Sequence, residues 1–95
     1  MNVKRTTPVA DLIRLECCKL CRMLRAKNAA YGNSALEPVR IFSRADAEEQ
    51  LNVRMDDKLS RIARGAAAGE DPELDLAGYL ILKRVGRMLW KSKPR

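Results

Sequence analysis

Acidic side chains recur at helical spacing in two stretches of this chain. In AEEQLNVRMDDKLSRI, Glu48 and Glu49 stand about one turn from Asn52 and two from Asp56; in EDPELDLAGY, Asp71 and Asp75 stand one turn apart, with Tyr79 a turn further on. Two helices packed along their apolar faces would bring Glu48, Glu49, Asn52 and Asp56 opposite Asp71 and Asp75, forming an oxygen-rich pocket. Oxygen ligands without histidine or thiolate suit magnesium or manganese, and magnesium shares its shell with water and a phosphate chain. A metal held in this way polarises a phosphoryl group and activates water, as hydrolysis of a nucleoside triphosphate requires. Arg54, Lys58 and Arg61 are then candidate phosphate cations, and Tyr31 is a candidate stacking or hydroxyl contact. The plainer alternative makes Glu49, Asp56 and Asp57 ion-pair partners of Arg54, Lys58 and Arg61 on a solvated face, with Asp71 a helix cap.

The elements that must position these residues are helices. Thr7 followed by Pro8 marks a start, after which Val9, Leu12, Ile13, Cys17, Leu20, Cys21 and Leu24 recur at steps of three and four, predicting a helix over 8–27. Glu16 falls beside that stripe, either at its edge in water or against a cation. Gly32, Asn33, Ser34 and Pro38 break any period, so 28–43 reads as a structured loop anchored by Tyr31, Val39, Ile41 and Phe42. Ser43 with Asp46 opens a second helix over 44–64, stopped by Gly65. Its apolar face is Ala47, Leu51, Met55, Leu59 and Ile62, and Lys58 sits on that face, where a cation needs an anionic partner: Glu16, Glu48 or a ligand phosphate. After the turn GAAAGED, Asp71 and Pro72 start a third helix over 72–90 with Leu74, Ala77, Gly78, Ile81, Val85 and Met88 as its buried face. Gly78 and Gly86 would let another backbone come close.

Composition agrees with an all-α class. Of the 95 residues 46% are hydrophobic but only 4% aromatic, so the core must be aliphatic. A single domain of this size gains materially from self-association, which predicts a homodimer or higher homo-oligomer. The net charge of +7 points to an anionic partner: a nucleotide, an acidic protein surface or, less favoured, nucleic acid through the basic tail RVGRMLWKSKPR. No apolar run approaches the roughly 18 residues of a membrane span, and charges interrupt the N-terminal segment, which excludes a membrane and predicts a cytoplasmic protein. Cys17, Cys18 and Cys21, with no histidine anywhere, cannot complete a four-ligand zinc site and read as free thiols.

With KNAAYGNSALEP, RMDDKLSRI and EDPELDLAGYLIL in view, the chain resembles small phage and prophage proteins of the nucleotide-modification-associated type. That group looks like a branch of the all-α, MazG-like nucleoside triphosphate pyrophosphohydrolases. The resemblance spans about 20–85 and rests on Tyr31 and Gly32, on Asp57, Lys58 and Arg61, and on Asp71, Asp75 and Tyr79. It implies an oligomeric helical bundle that cleaves a nucleoside triphosphate to monophosphate and pyrophosphate with Mg. Glu48, Glu49, Asp71 and Asp75 would hold the ion, Glu49 and Asp75 would serve catalysis, and Tyr31, Arg54, Lys58, Arg61 and Tyr79 would bind the nucleotide. The superfamily pattern E-E-x-x-E followed by E-x-x-D is met here by Glu48, Glu49 and Asn52, then by Asp71 and Asp75 at a step of four. An amide replaces one carboxylate, and the second pair is one residue wider.

Two functions of different class follow from the sequence. The first is a Mg-dependent pyrophosphohydrolase working in the cytoplasm of a phage host. The second is a non-catalytic module on the same scaffold that sequesters a nucleotide signal or inhibits a host defence system, as an anti-defence protein would.

Overall fold

In the computed structural model the described residues are 8–65 and 68–92, and they form three α-helices with no strand among them. The fold class is all-α. Helix α1 is Pro8–Tyr31, α2 is Ala47–Arg64 and α3 is Pro72–Ser92. No helix is long and apolar enough to cross a membrane among the described residues. The chain divides into two compact units, 1–32 and 33–95.

The first unit is helix α1. It opens on Pro8, whose fixed φ suits a first helical position; Thr7 lies outside the described residues. The helix continues four residues past the expected end at 27, through Asn28, Ala29, Ala30 and Tyr31, and stops where Gly32 turns to a φ of 66°. Alanines at 29 and 30 explain the extension, since they are the best helix formers and cost nothing to add. Asn28 Nδ2 then donates to the Gly32 carbonyl at 2.9 Å, closing the end. Tyr31 is therefore the last residue of a helix and is exposed. Glu16 accepts from Lys19 Nζ at 3.0 Å on the surface of the same helix, which settles it as a residue at the stripe's wet edge.

The second unit is the loop from Asn33 with the antiparallel hairpin of α2 and α3. The loop closes on itself through Leu36 N and Glu37 N, both donating to the Asn33 carbonyl at 2.9 and 2.8 Å. Helix α2 starts three residues later than expected. Asp46 is its N-cap, accepting from Glu49 N at 2.8 Å, while Ser43 Oγ accepts from Ala45 N in the preceding turn. An aspartate carries a full charge at the helix dipole's positive end, and the cap moved to the stronger acceptor. Gly65, at a φ of 84°, ends α2 as expected by donating its N–H to the Ile62 carbonyl. Asp71 begins α3, accepting from Leu74 N at 3.1 Å.

Packing along the hairpin differs from the expected faces in two ways. On α2, Leu51 and Met55 are buried, but Leu59 is exposed and Lys58 takes the inward position. On α3, Met88 is 72% exposed, and Ile81 and Val85 also face outward. Gly78 is turned inward as expected, but the line continues from it at steps of four through Leu82, Gly86 and Trp90. Trp90 folds back along its own helix over Gly86, which has no side chain to obstruct the ring. A Cβ at Gly86 would meet Trp90 Cη2 at 2.5 Å. Trp90 Nε1 donates to the Leu36 carbonyl at 3.1 Å, which ties the loop to α3 and helps explain why Leu36 is buried.

Candidate functional site

The hairpin separates the two acidic sets into two clusters, one at each end. In an antiparallel pair the start of α2 faces the end of α3, so Glu48 and Asn52 meet residues late in α3 and Lys58 and Arg61 meet residues at its start.

At the first end, Glu48 accepts from Arg87 through both carboxylate oxygens, at 3.0 and 3.1 Å. This two-point contact draws the Glu48 carboxyl below its ordinary value, and the Arg87 guanidinium rises for the same reason. One turn along, Asn52 uses both ends of its amide: Oδ1 accepts from Lys83 Nζ at 2.8 Å, and Nδ2 donates to Glu49 Oε1 at 3.1 Å. A carboxylate at position 52 could accept from Lys83 but would repel Glu49, so asparagine is the side chain that joins the lysine to the glutamate.

Beside this network lies an open groove of about 880 Å³, walled by Trp90 and Leu36 on its apolar side and on its polar side by Arg40, Asn52 and four carboxylates, Glu37, Asp46, Glu48 and Glu49. Arg40 Nη2 is steadied by the Arg44 carbonyl at 3.0 Å. An indole, one guanidinium and four carboxylates around one groove can stack a planar ring, meet an anion at Arg40 alone and accept from hydroxyls or ring N–H groups at several points.

At the second end, Lys58 Nζ lies 3.3 Å from Asp75 Oδ2, with the two side chains only 17% and 23% exposed. Asp75 is thus the internal anion that Lys58 requires, in place of Glu16 or Glu48. Arg61 bridges Asp57 at 2.9 Å and Glu70 at 2.7 Å, and its guanidinium is pushed up chiefly by the hydrogen bond to Glu70. Asp71 is engaged as the cap of α3. Arg54 is exposed on α2, Tyr79 is half-buried on α3, and Asp56 is exposed.

Glu48 and Glu49 are therefore neighbours, as are Lys58 and Asp75, but the two acidic motifs are not gathered within one hairpin. Arg87, the partner of Glu48, is twelve residues from Asp75 along α3, or about 18 Å at 1.5 Å per residue. Among the described residues no group of three or more His, Cys, Asp or Glu side chains is disposed to hold a metal ion. The expected pocket needs the carboxylates of α2 and α3 to meet at one height, but antiparallel register sets Glu48 against Arg87 and Asp75 against Lys58, while Glu49 and Asp71 find partners on their own helix.

Lys83 and Arg87 of the network, and Leu36, Arg40 and Trp90 of the groove, are residues that spacing alone did not single out. A signal for the first two exists: a step of four forward from Glu48 to Asn52 is answered by a step of four back from Arg87 to Lys83, as an antiparallel hairpin demands. No signal of that kind marks Leu36, whose carbonyl is recruited by a tryptophan 54 residues away. Comparison of the chain with protein-family models, with curated proteins and with solved structures gives no match.

Proposed function

We propose that this chain is a nucleotide-binding helical protein of the phage type it resembles, which works in the host cytoplasm as a homodimer or higher oligomer and binds its ligand without hydrolysing it. The observation that carries this reading is the contrast between the two ends of the hairpin. Lys58, Arg61, Asp71 and Asp75 at the far end hold protein partners and line no part of the groove, whereas Trp90, Arg40 and Glu49 line it, with Arg40 and Glu49 also bonded to the Arg44 carbonyl and Asn52. A base stacked on Trp90, a ribose or ring N–H donating to Glu49 and a phosphate on Arg40 would use each of these groups. Such a module would sequester a nucleotide signal and so counter a host defence system.

Calorimetric titration with a panel of ordinary and modified nucleotides, with and without Mg, followed by product analysis, tests the reading. Binding that persists without Mg, quenches Trp90 fluorescence and releases no pyrophosphate is expected. Absence of heat and of quenching across the panel overturns it.

A second reading keeps the pyrophosphohydrolase, with Mg held by Glu48 and Glu49 of one chain and Asp71 and Asp75 of another. Its support is the extent of uncovered apolar surface, since Leu12, Ile13, Leu80 and Met88 are all at least half exposed, as in chains that assemble. In that case Mg-dependent pyrophosphate release appears and is lost in Asp75→Ala. The nucleic-acid reading, through Arg84, Arg87 and Lys91 on α3 and the tail residues beyond 92 that lie outside those described, would instead give affinity falling steeply with salt.

A further inference from the structure

Helix α1 forms a unit of its own and buries none of its residues, although Val9, Leu12, Ile13 and Leu15 are each more than half exposed. A lone helix of 24 residues is marginal in water, because helices in proteins draw most of their stability from a packed amphipathic face. The cover must therefore be present whenever the chain is, and a second copy of the chain meets that condition. Down the middle of the face run Ile13, Cys17, Leu20 and Leu24, spaced four, three and four, the spacing of knobs that enter the holes of a facing helix. That spacing reads the same from either end. Turned end for end about a point between Cys18 and Lys19, one helix sets Ile13 level with Leu24 of the other, and Cys17 level with Leu20.

Charge selects both the orientation and the occupant. The half of α1 up to Lys19 carries two carboxylates, Asp11 and Glu16, with Arg14 and Lys19, whereas the half beyond it carries Arg22, Arg25 and Lys27 and no acid. Side-by-side copies in parallel would oppose three cations to the same three. In the antiparallel arrangement those cations lie along the half that holds both carboxylates. The competing cover within the chain's own sequence, the outer face of α3 at Leu80, Ile81 and Met88, is bordered by Arg84, Arg87 and Lys91 and would again set cations on cations.

We propose that α1 pairs antiparallel with α1 of a second copy of this chain through Ile13, Cys17, Leu20 and Leu24. This rests on the self-association in the proposed function and is independent of nucleotide binding.

The test uses the full chain with L20C in a C18S and C21S background, oxidised mildly and then cut with trypsin. Disulfide-linked dimers are first isolated by non-reducing gel electrophoresis, which removes chains closed internally from Cys17 to position 20; Lys19 then separates the two positions on cleavage, so the linked peptides of the dimer report orientation. An interchain link from Cys17 to position 20 is expected; links of each position to itself show a parallel pair and overturn the proposal. Sedimentation equilibrium of wild type and Leu24→Glu completes it, with a dimer giving way to a monomer that retains its α2 and α3 helicity by circular dichroism. A dimer that survives Leu24→Glu overturns this interface while leaving self-association standing. A wild-type monomer at micromolar concentration overturns both and assigns the α1 face to the same chain or to another protein, whatever the nucleotide titration gives.

Discussion

Lys58 lies on the face of α2 that holds Leu51, Met55 and Ile62, and its ammonium is answered by Asp75 of α3 at 3.3 Å. Both side chains are mostly withdrawn from water, so removing one partner leaves the other charge poorly solvated, whereas removing both leaves an apolar contact. Lys58→Met is expected to cost about 1–3 kcal/mol in urea denaturation, and adding Asp75→Leu should recover most of that loss. Equal destabilisation by the double variant would show that the pair carries net stability of its own. The contact between Glu48 and Arg87 makes a different prediction, because it is exposed and titratable. Arg87 holds the Glu48 carboxyl below its ordinary 4.5, so the contribution is complete above that value and is lost as pH falls through the lowered one. Wild type and Arg87→Gln should therefore differ in unfolding midpoint at neutral pH and converge in acid below about pH 4.5. A difference that persists at pH 2 would assign the effect of Arg87 to packing alone.

At the scale of elements, the ends of the helices were largely legible in the sequence and their faces were only partly so. Pro8, Gly65, Asp71 and Pro72 act through local geometry, and each stands at the helix end that its chemistry favours. The cap of α2 was misplaced by three residues because Ser43 and Asp46 both fit the role, and the charged acceptor won. Gly78 lies on the inward face of α3 as its spacing implied, but Gly86 is buried under the Trp90 ring while Ile81 and Met88 stay exposed, an arrangement hydrophobic periodicity does not encode. The same argument governs the groove, whose wall is an indole lying over a glycine. Gly86→Ala gains about 1 kcal/mol of helix propensity but drives a methyl into the Trp90 ring, where overpacking costs roughly 1–3 kcal/mol. The expected outcome is little net change in stability together with a red-shifted, more quenchable Trp90 emission, as the indole leaves Gly86 and releases the Leu36 carbonyl. An unshifted spectrum would show that the ring accommodates the methyl in place, and that the groove wall is less constrained than the contact distances indicate.

For the whole molecule, the decisive quantity is how little apolar surface the described residues cover. Leu36, Leu51 and Met55 are the buried hydrophobic side chains, in a chain whose length normally supports a larger core. The all-α class and the prospect of self-association followed from composition, but which surfaces stay uncovered depends on the register of α2 against α3. Were such a chain to gain further stability from association, mass action would make that gain visible. If folding is coupled to dimer formation, each tenfold rise in chain concentration adds about 1.4 kcal/mol to apparent stability, because unfolded monomers must meet to fold. Urea midpoints measured over a hundredfold range of concentration should rise steadily for wild type, and the slope should vanish for Ile13→Glu if α1 supplies the contact. A midpoint independent of concentration in wild type would mean that the single chain is self-sufficient. The hairpin of α2 and α3, with its ion pairs and the Trp90 lock, would then be a stronger fold than burial of Leu36, Leu51 and Met55 among the described residues implies.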